Sequence, residues 1–234
     1  MRIAVIDPAA GISGDMTLGS LLSLGLPALR GALTNQIPAL QTAAAEAVWT
    51  IHRETNLVLH ACMNVIMTSM QDVAFVNAAR RLSQLGPDAA PAVPALFQPF
   101  QDVRRSVEAR ASAAIALGTI GVNDQAVISA LLEGTKDSDW RLRTTCARAL
   151  WRLDTQFASV AVPIIVDWIV DWNKRKPPVE QEFTRLIKSD KVDLATAIPA
   201  LTELLNRGSP EVRQVADDAL KRIQSKENDG DAQP

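Results

Sequence analysis

The chain has no tyrosine, two cysteines and two histidines in 234 residues. Cys62 and Cys146 stand far apart in no metal or redox spacing, so a disulfide framework and a cysteine metal knot are both excluded. Such usage suits a reducing compartment, with both thiols as small buried hydrophobes. Positive charge is not in excess either: 24 Lys and Arg against 26 Asp and Glu leave a net charge of -2, with no basic stripe for nucleic acid. Long hydrophobic runs are missing. The most apolar stretch, Val160 to Trp172, is 13 residues long and carries Asp167 and Asp171, whereas a membrane span needs about 20 apolar residues. Asp7 and Pro8 cut off the opening apolar run, which excludes a secretory leader and leaves the cytoplasm as the expected location. No nucleophile elbow, P-loop or paired acid is present, so nothing reads as catalytic.

What is there is a chain 47% hydrophobic and 21% charged, enough for one or two domains with a substantial core. The charge is uneven. Residues 1–70 hold only seven charged side chains, and the other 43 lie in the remaining 164 residues. A first third so poor in charge reads as buried against something, or as an atypical folded unit.

An internal repeat organises the rest. Ala78 to Gly86, Ala113 to Gly121, Cys146 to Asp154 and Ala216 to Gln224 align at offsets of 35, 33 and 70 residues, the last being two periods. Each block opens on a small residue, followed by aliphatic pairs: Leu82/Leu85, Leu117/Ile120, Leu150/Leu153 and Leu220/Ile223. That spacing is one face of a helix. A partner helix recurs upstream, opening on Val93-Pro94, Val162-Pro163 or Ile198-Pro199, with Ala126-Val127 in the same place without proline. Proline suits a first turn, where its missing N–H costs nothing. A worn copy falls at 181–189, behind the Pro177-Pro178 break. Arginine stands three residues before the small residue at Arg110, Arg143 and Arg213, and the leading turns are acidic. Asp139 or Ser209 is predicted to cap the second helix of its pair.

This pattern of an acid, a Val-Arg or Leu-Arg pair and then Ala-x-x-Ala-Leu resembles the short bacterial type of the HEAT-repeat family over about residues 72–224. The resemblance implies an all-α fold, an α-solenoid of HEAT-like helical hairpins. It also implies that Arg110, Asp139, Arg143 and Arg213 form an inter-repeat ladder rather than contact a ligand. Upstream the period breaks. Ile37-Pro38 opens another apolar helix, Ala43 to Ile51 resembles a block loosely, and residues 28–71 are expected as an irregular cap of two or three helices. Residues 225–234 are expected as a disordered tail.

The first 27 residues carry a separate signal, a short strand-loop-helix segment. Arg2 to Ile6 has strand character, Asp7 ends it, and a Gly-containing loop leads to an apolar helix from Met16 to Leu24. The run Asp7-Pro-x-x-Gly11-Ile-Ser-Gly-Asp15-Met-Thr-Leu-Gly19, then Leu24-Gly25-Leu-Pro27, resembles the opening of nickel-insertion proteins. Those proteins complete the nickel-pincer nucleotide cofactor of lactate racemase. The resemblance implies metal or nucleotide handling at Asp7, Ser13, Gly14 and Asp15. Because the wording changes after Pro27, residues 1–27 are read as a fragment fused to the repeat.

Other constellations are weighed as packing. His52 and His60 lie eight apart with Cys62 nearby, but no third histidine or carboxylate cluster completes a metal site. Met63, Met67 and Met70 at helical spacing read as a core stripe, and Trp168 and Trp172 as core between helices. Lys174 to Lys176 closes a helix whose dipole favours cations there. The expected function is therefore a non-enzymatic cytoplasmic scaffold that binds another protein along its repeat surface, with no cofactor, nucleic acid or membrane partner. The alternative is a nickel- or nucleotide-handling protein acting through the N-terminal motif. A third likeness, to the related repeats of phycobilin lyases, would place a tetrapyrrole in the solenoid. The missing tyrosine and the lack of a reactive cysteine setting argue against it.

Overall fold

The computed structural model describes residues 26–175 and 193–230, and every regular element among them is helical. The strand-loop-helix segment, the worn copy at 181–189 and the end of the tail lie outside the described residues. In chain order the α-helices are α1 (Leu26–Leu33), α2 (Pro38–His52), α3 (Thr55–Thr68), α4 (Asp72–Leu85), α5 (Val93–Gln101) and α6 (Val107–Ile120). They continue with α7 (Gln125–Gly134), α8 (Trp140–Leu153), α9 (Ala158–Arg175), α10 (Ile198–Arg207) and α11 (Pro210–Gly230). The two helices of each pair pack on one another, and the second helices α4, α6 and α8 pack on one another from pair to pair, so the helices stack as in a solenoid.

The boundaries follow from side chains. Ser106 Oγ accepts the Ala109 amide at 3.2 Å and starts α6, Asp124 accepts the Ala126 amide at 2.7 Å and starts α7, and Asp139 accepts the Arg141 amide at 2.8 Å and starts α8. Gly121 closes α6 at φ 78°, a left-handed turn that glycine adopts without Cβ strain. Pro94 and Pro199 sit in the first turns of α5 and α10. Pro163 differs from its expected place. It lies inside α9, which begins at Ala158 directly behind a short 3₁₀ turn at Thr155–Phe157. The lead-in that stays 3₁₀ ahead of α5 and α10 is here absorbed into the helix.

The second helices of the pairs, α4, α6 and α8, pack closely side by side, whereas α3 and α5 of the opposite layer touch only lightly. Small residues allow the close layer. Gly118 on α6 approaches Ala149 on α8 so nearly that an added Cβ would meet the Ala149 Cα at 2.6 Å. One continuous core runs from Leu29 to Leu150, and a second one from Ala147 to Ile223. Helix α8 is the wall between them: Cys146, Ala149 and Leu150 face the first, Ala147 and Trp151 the second. The Trp151 indole is buried and donates to Thr196 Oγ1 at 2.9 Å, which ties the second core to the turn before α10.

Candidate functional site

Two arginines, Arg105 and Arg110, link successive helical pairs at their leading turns, and a third, Arg143, braces the turn ahead of its own helix. Arg105 donates to Asp72 Oδ1 at 3.1 Å and to the Ser69 carbonyl at 3.0 Å, and the Ser106 amide donates to Asp72 Oδ2 at 3.0 Å. The Ser106 hydroxyl above all, then its amide and the Arg105 guanidinium, hold the Asp72 carboxyl below the ordinary carboxylate range against the cost of partial burial. One pair further on, Arg110 reaches Asp137 Oδ2 at 3.2 Å and the Phe100 carbonyl at 3.1 Å. Arg143 donates at 2.8 Å to the carbonyls of both Asp137 and Ser138, and its charge counters the burial that pushes the Asp167 carboxyl on α9 up.

The expected ladder set is thus rearranged. Arg110 does cross to the next pair. Asp139 does not: as the cap of α8 its side chain turns onto its own helix and pairs with Arg141 at 2.9 Å. The crossing acid is Asp137, two residues earlier. Arg213 lies exposed on α11, its amide donating to the Ser209 carbonyl at 2.8 Å. Asp72, Arg105 and Asp137 were missed in the sequence, although Asp72 and Arg105 stand 33 residues apart, close to one period.

Because α3 and α5 are tied through Arg105 at one end but touch lightly along their length, a groove of about 680 Å³ opens between them. Its walls are Met63, Ile66 and Met67 of α3 and Pro94, Ala95 and Pro99 of α5. Asp102, Arg104 and Arg105 form one end. There Arg104 grips Asp102 through Nε at 2.9 Å and Nη2 at 3.0 Å, which lowers the Asp102 carboxyl to about 2. A smaller hollow of about 300 Å³ lies one pair on, lined by Phe100, Arg110, Ala130, Gly134, Lys136 and Asp137.

Of the three methionines expected as a core stripe, only Met63 packs against the core, half-buried. Met67 is 73% exposed and Met70 86%, with Val73 at 76% and Val103 at 80% on the adjoining turns. Val65 and Ile66 turn inward, because the α4 side of α3 takes the core positions and leaves Met67 and Met70 to solvent. His60 is exposed while Cys62 is fully buried, so these two do not meet. Burial pushes both thiols up to about 12, Cys62 and Cys146 alike. Trp168 is half-buried against the second core and stacks on Trp140, ring centroids 5.9 Å apart. The side chains of His52, Trp172, Lys174 and Arg175 lie outside the described residues, as do Asp7, Ser13, Gly14 and Asp15. Among the described residues no group of three His, Cys, Asp or Glu could hold a metal ion. No described helix is long and apolar enough to cross a membrane.

Residues 4–131 match the family model of the nickel insertion protein. The chain belongs to that family. The match runs well past Pro27, through α1 to α6 and into α7, so the likeness is not confined to the opening motif. Residues 93–176 match HEAT repeats, from α5 through α9, and the two matches overlap over α5 and α6. Among solved structures, the crystal structure of an engineered protein is 20% identical, covering 91% of this chain and 92% of that chain at a TM-score of 0.45. No curated protein matches.

Proposed function

We propose that the chain is a non-enzymatic scaffold, an α-solenoid of HEAT-like hairpins, that docks a segment of another protein in the groove between α3 and α5. The observation that carries this reading is the coincidence of an open, largely apolar groove with four strongly exposed apolar side chains at its neighbouring turns. Exposed apolar residues standing singly are ordinary, but a group beside a concavity marks an interaction surface. One end of the groove is tied to the preceding helical pair by the Arg105–Asp72 link, which reduces what a partner would have to order there. A photocrosslinking residue at Gln98, which lines the groove, should trap a discrete protein in lysate. Ala95→Arg should abolish that product without unfolding the chain. A product unchanged by Ala95→Arg, or none beside a working control, overturns the reading.

A second reading rests on the family match over residues 4–131. Here the chain handles nickel or a nucleotide through Asp7, Ser13, Gly14 and Asp15, a residue set whose two carboxylates can offer oxygen donors to a metal. Nickel would be cargo, not a structural ion. Equilibrium dialysis against Ni(II) should then show uptake that Asp15→Asn weakens, and absence of uptake by the unaltered chain ends this reading. Both readings place the chain in the cytoplasm, consistent with two free, buried thiols.

A further inference from the structure

We propose that the solvent side of α3 carrying His60, Met63 and Met67 is a binding site for a soft monovalent cation, Cu(I) in the cell and Ag(I) in the test tube. The inference concerns a different metal and a different segment from the nickel reading, and it does not depend on the docking reading.

The helix sets the geometry. At about 100° per residue, positions 60, 63 and 67 fall within an arc of about 60° and along about 10 Å of axis. Neighbouring members of the trio are three and four residues apart, the spacings at which helical side chains meet. His60 is exposed, Met67 is 73% exposed, and Met63 is half-buried where it and Met67 line the groove. One imidazole and two long, flexible thioethers thus share a solvent-accessible face, with room beside it for the side chains to close on an ion.

The donor set decides which ion. Thioethers are soft ligands that select Cu(I), whereas divalent nickel and zinc need imidazole clusters, thiolates or carboxylates. Those harder donors are withdrawn from this face. Asp102 across the groove is gripped by Arg104, Asp72 by Arg105, and Glu54 at the start of α3 by Arg30 at 3.2 Å. Cys62, although next to Met63, is fully buried on the core side of the helix. A neutral trio without an anionic ligand suits a cation of single charge, which has the least hydration to give up.

The test is titration of the full chain, labelled at its methionine methyl carbons, with silver nitrate in chloride-free buffer, followed by Cu(I) in competition with bicinchoninate. The Met63 and Met67 methyl signals should shift together and saturate at one equivalent. His60→Ala and Met67→Leu, both at exposed positions, should each weaken binding by about tenfold or more while leaving the fold intact. Nickel(II) should leave these signals where they are. The proposal is overturned if silver leaves both methyl signals in place, if Met67→Leu binds as tightly as the unaltered chain, or if nickel(II) moves the signals as silver does.

Discussion

The close approach of α6 to α8 gives a sharp stability test, the substitution Gly118→Ala. An alanine Cβ at 118 would stand 2.6 Å from Ala149 Cα, 2.7 Å from its Cβ and 3.0 Å from its carbonyl oxygen. Non-bonded atoms settle at about 3.5–4.0 Å, so α6 and α8 would have to part by about 1 Å. Two of the three atoms are backbone, and no rotamer change can relieve them. Against this stands a helix-propensity gain of about 1 kcal/mol for replacing an interior glycine. Overpacking costs about 1–3 kcal/mol, and a clash with backbone on a fully buried seam belongs at the upper end. The net expectation is a loss of about 2 kcal/mol, or about 4–8 °C in Tm for a chain of this size. Urea denaturation followed by far-ultraviolet circular dichroism measures it, with the slope expected to stay constant. Adding Ala149→Gly removes only the Cβ–Cβ conflict, so rescue should be incomplete. A Gly118→Ala protein as stable as the original, or more so, would refute the close packing of α6 on α8 and with it the layer on which the repeat reading rests.

The ladder makes further predictions. Arg110→Ala should cost about 1–2 kcal/mol in the same assay, since it breaks a half-buried pair and a bond to the Phe100 carbonyl, whereas Arg141→Ala on an exposed pair should cost under about 0.5 kcal/mol; equal losses would deny the ladder its role. Asp72 has a folded-state pKa below its ordinary value, so its contribution is present above that ordinary value and is lost as pH falls through the lowered one. Asp72→Asn should therefore be less stable than the original chain at neutral pH, and the gap should close in acid below about pH 4; a gap that widens in acid would contradict the assigned hydrogen bonds. Ser106→Ala should lose about 1 kcal/mol with the cap of α6. Both thiols should resist an aromatic disulfide reagent in the native state and react only as urea unfolds the chain; prompt native labelling would show that Cys62 or Cys146 is not buried as described.

The second helices were the most legible part of the sequence. Their blocks land on α4, α6, α8 and α11 because a fixed small-then-aliphatic face has one solution in a helix buried on one side. Ser209 and Asp139 cap where their spacing puts them, Asp139 accepting the Arg141 amide and Ser209 the Val212 amide. The ladder was half legible. Sequence spacing flags an arginine, but in Lys136-Asp-Ser-Asp139 it cannot say which aspartate caps and which crosses, because that depends on the turn's backbone. The methionine side of α3 was misread for a related reason. Helical periodicity reports a shared face, not which of two apolar faces meets the core, and α3 is apolar on both. The groove could not be read at all, since it arises from how far α3 stands from α5, a property of the stacking rather than of either helix.

The overlap of the two family matches over α5 and α6 makes the two functional readings separable. Among the described residues the groove is lined from α3, α5 and the turns beside them, so Ala95→Arg should abolish partner crosslinking and leave nickel uptake unchanged. Asp15 belongs to the N-terminal motif on which the nickel reading rests, so Asp15→Asn should weaken nickel uptake and leave crosslinking at Gln98 unchanged. If each substitution abolishes only its own activity, the chain carries two independent functions on one scaffold. If Ala95→Arg also removes nickel uptake in a folded protein, the motif acts through the groove, and the helical pair α5 and α6 is where both readings meet. That second outcome would mean that docking and nickel handling are one activity, with the repeat presenting the cargo site to the protein that receives it.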